Sequence, residues 1–126
     1  MRITSGRASG KQSERRQDTF TGEVWGDPVL LDADGLTVNN VFFAPGARTH
    51  WHAHERGQVL HVLGGEGRAG LRGGEPQPIR AGDVVFFEPG EEHWHGAAQG
   101  SYVLHLAISL GATDWLEPVT DADYAG

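Results

Sequence analysis

The sequence predicts an all-β fold, and two observations indicate this. Between Thr21 and Leu110, short apolar runs alternate with turn residues, and no stretch shows the 3.6-residue period of a long amphipathic helix. The chain has 19 glycines in 126 residues, and they lie at the junctions between these runs. The pattern is typical of a closed barrel or a two-sheet sandwich, which hides its strand edges and can hold a ligand at one end.

Short strands account for the apolar runs in chain order. They are predicted at residues 23–25, 29–31, 36–43, 49–54, 58–63, 68–72, 77–79, 84–87, 93–96 and 102–108. Gly or Pro between two runs indicates a turn, because these residues favour the backbone angles that turns require. The predicted turns are Asp34-Gly35, Pro45-Gly46, Gly64-Gly65, Gly73-Gly74, Ala81-Gly82-Asp83 and Pro89-Gly90.

Both ends of the chain differ from this pattern. Residues 1–18 are predicted to form a polar arm and residues 19–126 a single domain. The arm carries half of the ten Lys and Arg residues, and we interpret it as disordered or as lying across an acidic neighbouring subunit. After Gly111 we expect a short helical or irregular cap that starts at Thr113-Asp114, ends at Pro118 and anchors Trp115 against the barrel.

Composition excludes several classes of function. The absence of cysteine removes disulfides, thiolate metal sites and cysteine nucleophiles, so any metal would have nitrogen and oxygen ligands. A net charge of −7 argues against nucleic acid as a partner, because a binding face needs clustered Lys and Arg. No segment has the roughly 18 apolar residues that cross a membrane, and the start has no apolar signal region. We therefore expect a cytoplasmic protein with a small-molecule substrate.

The histidines are concentrated in one part of the sequence. All seven lie between His50 and His105. His52 and His54 are two residues apart, so on an extended strand both imidazoles point to the same face. Together with Gln58 and His93 they look like the ligands of a divalent transition metal, since imidazole and amide oxygen suit such ions.

Two motifs around these residues resemble those of the cupin superfamily. The first reads Gly46, five residues, His52-Ala53-His54, three residues, Gln58, six residues, Gly65. The second reads Gly82, six residues, Pro89-Gly90, two residues, His93, with Ala97 where Asn is often found. The resemblance implies a double-stranded β-helix, or jelly-roll barrel, with a short C-terminal helical segment. Cupins of this size usually pair their sheets, and the exposed strand edges of a small barrel need cover, so we expect a homodimer or homotetramer.

A closer resemblance is to small single-domain bacterial cupins, some associated with carboxymuconolactone decarboxylase, and among them to manganese-dependent hydroxynitrile lyases. It rests on the segments FTG, PGART, GDVVFF, PGEEHWHGAA, HLAIS, DW and VTD along nearly the whole chain. The resemblance implies that His52, His54, Gln58 and His93 bind the metal, with Mn(II) favoured and Fe, Ni, Zn or Co as alternatives. It also implies that His95 and His105 line the active site.

The residues themselves suggest what such a site would do. Gln58 stands where Glu is usual, so the charge of a divalent ion stays uncompensated, and the ion should be more electrophilic and less tightly held. His95 points inward with His93 by strand alternation. His105 lies on the face of Val103 and Ala107. An imidazole there suits a general acid or base; the alternative is a core histidine with satisfied hydrogen bonds.

Three further polar residues are less informative. His50 shares the parity of His52 and either faces the pocket or lies exposed before the strand. His61 has the opposite parity to Gln58, so we expect it outside the site. Asn39 is expected to face solvent, although it would contact substrate if it faced the cavity.

Three functions are consistent with these observations. The first is a metal-dependent lyase that cleaves or forms the C–C bond of small 2-hydroxynitriles, with His95 or His105 taking the hydroxyl proton. The second is a metal-dependent cupin dioxygenase with the same ligands. The third is a cupin that binds a small molecule without catalysis.

Overall fold

The computed structural model describes residues 1–7 and 11–126, and it confirms the all-β class. The described elements are β1 Glu14–Arg16, β2 Phe20–Thr21, β3 Val24–Ala33, β4 Leu36–Phe43, β5 Arg48–Thr49, β6 His52–His54, β7 Gln58–Leu71, β8 Gln77–Arg80, β9 Val84–Phe87, β10 His93–Ala97, β11 Val103–Leu110, β12 Thr113–Trp115 and α1 Asp121–Ala125. None of the helical residues described here forms a span long and apolar enough to cross a membrane.

The strands form two antiparallel sheets that share one long strand. In the first sheet the order is β1, β3, β4, β11, β7 and β9. In the second, β10 lies between β7 and the short strands β5 and β6; β8, β2 and β12 extend this sheet. The first half of β7 belongs to one sheet and the second half to the other, so the two sheets close around one interior.

The change of sheet within β7 corrects one predicted turn. Gly64-Gly65 was expected to end a strand, but the strand continues from Gln58 to Leu71 and only bends there. Gly65 has a φ of 77°, and any Cβ on it would clash with the Tyr102 carbonyl of the neighbouring strand. Glycine is needed here because only it permits both this backbone angle and this close approach.

Other boundaries also differ from those predicted. The strands expected at 23–25 and 29–31 are one strand, β3, and the strand expected at 49–54 is divided into β5 and β6. The remaining predicted turns each contain a glycine with positive φ, namely Gly35, Gly46, Gly73, Gly82 and Gly90.

The helix start predicted at Thr113-Asp114 is wrong. Residues Thr113–Trp115 form β12, which pairs with His52–His54 because that edge of β6 would otherwise leave its backbone groups unpaired. The C-terminal helix begins later, at Asp121, where the Thr120 hydroxyl accepts a hydrogen bond from Asp123 N at 3.0 Å.

Part of the N-terminal arm is a strand. Residues Glu14–Arg16 pair with Val24–Gly26 of β3, so the expectation of disorder does not hold for them. The division of the chain into an arm at 1–18 and a domain at 19–126 stays a prediction.

A second apolar cluster supports the strand that carries His93 and His95. Trp94 points away from the barrel interior, yet it is buried, because Trp51, Val119 and Tyr124 cover it. The Tyr124 hydroxyl donates a hydrogen bond to the Ala97 carbonyl at 2.6 Å. The C-terminal helix therefore fixes β10 from outside, while the histidines of β10 point inward.

Candidate metal centre

A cavity of about 400 Å³ opens into the barrel interior. His52, His54, Gln58 and His95 lie in its wall, and their side chains are at most 4% exposed. His93 lies directly behind them and is fully buried. The fold therefore brings together all four side chains that the sequence predicted as metal ligands.

Strand pairing explains this convergence. β6 and β10 are antiparallel, and His52 is the Cα partner of His93. Gln58 is the first residue of β7, whose second half pairs with β10. Side chains of paired residues point to the same face, so residues far apart in sequence meet inside the barrel.

Hydrogen bonds fix the orientation of the imidazole rings. The Nδ1 atom of His52 lies 2.9 Å from the His50 carbonyl, and that of His93 lies 2.8 Å from the Glu91 carbonyl. Because a carbonyl only accepts hydrogen bonds, each Nδ1 carries the proton and each Nε2 presents a lone pair. His54 Nδ1 contacts the Thr113 hydroxyl at 3.0 Å. Such contacts are typical of metal-binding histidines.

Burial keeps these rings neutral. It lowers the pKa of His54 and of His93 from 6.5 to about 4. It also lowers the pKa of His52 and of His95 well below the usual value. Because these pKa values lie below 7, the rings are neutral at pH 7. Neutral imidazole is the form that binds a metal.

The contact between Gln58 and His93 provides a test of whether these residues fit a metal ion. Gln58 Oε1 lies 3.0 Å from His93 Nε2, and both atoms present lone pairs. Two lone pairs at this distance repel each other unless a cation is bound by both. Two ligand atoms about 2.1 Å from one ion and at right angles are about 3.0 Å apart. The donor set therefore fits a divalent ion.

A group of three histidines that could hold a metal ion includes His95, which the sequence placed in the active site but not among the ligands. His52, His93 and His95 each offer one nitrogen, and these three atoms all lie within 4.8 Å of one another. His54 lies beside them, with its ring centroid 5.0 Å from that of His52. Within residues 1–7 and 11–126, neither His54 Nε2 nor His95 Nε2 has a hydrogen-bond partner. Both atoms are therefore available to an ion or a substrate.

His105 is not part of the cavity wall among the described residues. It is fully buried, and its Nε2 lies 3.0 Å from His95 Nδ1. Burial lowers its pKa to about 4. His105 therefore reaches the cavity only through His95.

Comparison with known proteins identifies the family. The cupin domain matches residues 39–108, which is more than half of the chain. The chain belongs to the cupin family. An (R)-mandelonitrile lyase from Granulicella tundricola is 48% identical over 123 residues, covering 93% of this chain and 92% of that protein.

Solved structures support the same fold. A cupin-like protein from Thermotoga maritima is 38% identical, with a TM-score of 0.85 and coverage of 93% of this chain and 94% of that one. A predicted oxalate decarboxylase from the same organism is 24% identical, with a TM-score of 0.74 and coverage of 88% and 100%. At that identity the second likeness concerns the fold alone.

The cupin barrel also places residues that the sequence misassigned or missed. Asn39 was expected to face solvent, but it lines the cavity because its place on β4 faces inward. His61 is exposed, as expected, and His50 contributes its carbonyl to His52 rather than its ring to the cavity wall. Ser109 was not predicted as a cavity residue, although it lies on the same face of β11 as His105 and Ala107.

Ser109 orients the proposed ligand Gln58. Gln58 Nε2 donates a hydrogen bond to Ser109 Oγ at 3.1 Å, which leaves Oε1 facing His93. We expect Ser109→Ala to weaken metal binding by about 10- to 100-fold, the usual effect of removing a partner of a metal ligand. Titration calorimetry with Mn(II) measures this. Ser109→Thr keeps the hydroxyl, and Ser101→Ala removes a hydroxyl that is not in the cavity wall. Equal affinities for all of these proteins would contradict the role of Ser109.

The low pKa values make stability depend on pH. Below pH 6.5 histidines of the unfolded chain take up protons, whereas the buried rings of His54, His93 and His105 stay neutral down to about pH 4. The free energy of unfolding of the metal-free protein should therefore fall as pH decreases from 6.5 to 4, by about 1.4 kcal/mol per pH unit for each ring. Urea unfolding with a chelator present measures the slope, and a flat profile would contradict the burial of neutral rings.

Proposed function

We propose that this cupin is a metal-dependent lyase that cleaves or forms the C–C bond of small 2-hydroxynitriles. The observation that carries the proposal is a cavity with neutral nitrogen and oxygen donors and one further imidazole, His95, beside them. The named activity of the relative that is 48% identical supports the same reaction.

His52, His54, Gln58 and His93 are the proposed ligands. The ion, for which we propose Mn(II), supplies Lewis acidity that stabilises negative charge on the substrate oxygen or on the departing cyanide. All four ligands are neutral, so they leave the charge of the ion available for this purpose.

His95 is the proposed catalytic base. His95 belongs to the histidine group at the cavity wall, and its Nε2 has no hydrogen-bond partner in the described part of the chain. During cleavage, Nε2 takes the hydroxyl proton and the substrate oxygen forms a carbonyl. The C–C electron pair leaves with cyanide, which then receives the proton.

His105 acts through His95 as a positioning residue. Its Nε2 lies 3.0 Å from His95 Nδ1, so one of the two nitrogens donates and the other accepts. If His95 Nδ1 donates, its Nε2 presents a lone pair to the substrate. When His95 becomes protonated, His105 still accepts this hydrogen bond and stabilises the imidazolium.

Cyanide release tests the activity. The metal-loaded protein should release cyanide from mandelonitrile faster than the same protein treated with a chelator, because the ion stabilises the developing negative charge. If loading with Mn, Fe, Co, Ni or Zn gives no release above the chelated control, the lyase proposal is wrong. Oxygen uptake with a catechol in that case would favour an oxygen-dependent cupin.

Substitution of His95 separates a base from a ligand. We expect His95→Ala to lower kcat by about 10²- to 10⁴-fold, as loss of a general base does, while the metal content stays the same. His54→Ala, the matched control, should lower the metal content. The assignments would be reversed if His95→Ala lost the metal and His54→Ala retained it; metal analysis of both purified variants decides this.

A further inference from the structure

One arginine from the N-terminal strand lies in the same cavity as the histidines. β1 pairs with β3 so that Arg16 is opposite Val24, which is fully buried on the inner face. Arg15 is opposite Trp25 and on the outer face, with its guanidinium 5.6 Å from the Trp25 ring. Strand alternation therefore turns Arg16 toward the interior.

The strand beneath Arg16 has space for the guanidinium. Gly26 follows two residues after Val24 on the same face, and a Cβ on it would clash with Arg16 Nε and lie 2.8 Å from Nη2. Because Gly26 has no side chain, Arg16 can lie across β3 in the cavity wall. Its Nη2 donates to Asn39 Oδ1 at 3.4 Å. The side chain is 30% exposed, so it is largely removed from water.

Among the residues that the structure describes, the hydrogen bond and the ion pair of Arg16 both involve Nη2. Its Nε is buried and has no acceptor among the residues that the structure describes. The nearest carboxylate, that of Glu14, is 3.4 Å from Nη2 but 61% exposed, so water weakens the attraction. A buried Nε without an acceptor is costly, and the exposed part of the guanidinium is open to an acceptor in the cavity.

Arg16 brings a positive charge to the cavity wall of a protein that is negative as a whole. The net charge of the chain is −7. Among the described residues of the wall, Arg16 turns its guanidinium inward, Arg15 lies over Trp25 on the outer face, and the one carboxylate, that of Asp18, is exposed. The histidines are neutral, and a bound divalent ion would add positive charge. An anionic ligand is therefore favoured here.

We propose that Arg16 and Asn39 form a carboxylate-binding subsite, so that the substrate is a small molecule with a carboxylate at one end and the reacting hydroxyl or carbonyl at the other. The reacting end rests on the proposed function, whereas the carboxylate end does not. One guanidinium matches the planar, singly charged carboxylate through two parallel hydrogen bonds. Asn39 holds the guanidinium from the β4 side.

Binding of benzoate tests the subsite directly. Calorimetric titration of the metal-loaded protein should show benzoate binding that is weakened about tenfold or more in Arg16→Gln, the loss expected for a hydrogen bond to a charged group. Arg80→Gln, which removes an equal charge from an exposed position outside this cavity, should leave the affinity unchanged. Equal weakening in both variants would show a bulk charge effect and overturn the proposal.

Four further measurements make the test specific. Gly26→Ala keeps the charge but displaces the guanidinium, so it should also weaken benzoate. Benzamide, which is neutral, should bind equally to wild type and Arg16→Gln. Benzoate binding that disappears with a chelator and does not change in Arg16→Gln would place benzoate on the ion and overturn the subsite. If inorganic phosphate displaces benzoate and binds equally tightly, the proposed preference for a carboxylate is overturned.

Kinetic measurements distinguish a failure of the carboxylate-subsite proposal from a failure of the lyase proposal. The kcat/KM for 4-carboxymandelonitrile should fall about tenfold or more in Arg16→Gln, mainly through KM, while that for mandelonitrile is retained. If neither nitrile is cleaved but benzoate binding still depends on Arg16, the lyase function is wrong and the subsite stands. If both nitriles are cleaved and Arg16→Gln affects neither cleavage nor benzoate binding, the subsite is wrong and the lyase stands.

Discussion

The structure depends on burying five imidazoles and one amide on the inner face of a barrel without leaving their polar atoms unsupported. Burial of polar groups is costly unless they find partners, and backbone carbonyls, hydroxyls and the rings themselves supply most of these partners. The partners lie on the Nδ1 side of His52, His54 and His93, and the Nε2 side faces the interior. The same burial keeps the rings neutral. Folding thus prepares lone pairs that a cation can use.

The outer layers of the barrel maintain this arrangement. β10 carries His93 and His95 inward and Trp94 outward, and the C-terminal helix covers Trp94 through Tyr124 and Val119. β12 pairs with the edge of β6 and brings Thr113 to His54 and Trp115 to His52. The ring centroids of Trp115 and His52 are 4.6 Å apart. Segments that carry none of the proposed metal ligands therefore determine how those side chains are oriented.

Charge distinguishes the cavity from the rest of the protein. Gln58 in place of a carboxylate keeps the donor set neutral, and Arg16 brings a positive charge from a strand near the N-terminus. Both features favour negative charge on a bound molecule, one beside the proposed metal ligands and one beside Arg16. A neutral donor set and a guanidinium in one cavity are consistent with electrostatic stabilisation of an anion, because a low-dielectric site strengthens such interactions.

The sequence by itself determined the all-β class, most turn positions and the inward parity of His52, His54, His93, His95 and His105, because these follow from local alternation and backbone preference. It also predicted Gln58 as their neighbour, through the cupin motif. Only the tertiary structure decided that β7 bends at Gly65 instead of ending, that Thr113 lies in a strand, and that Arg16 and Asn39 share the cavity. These features depend on pairing between residues distant in the chain, and alternation within one strand contains no information about its partner strand.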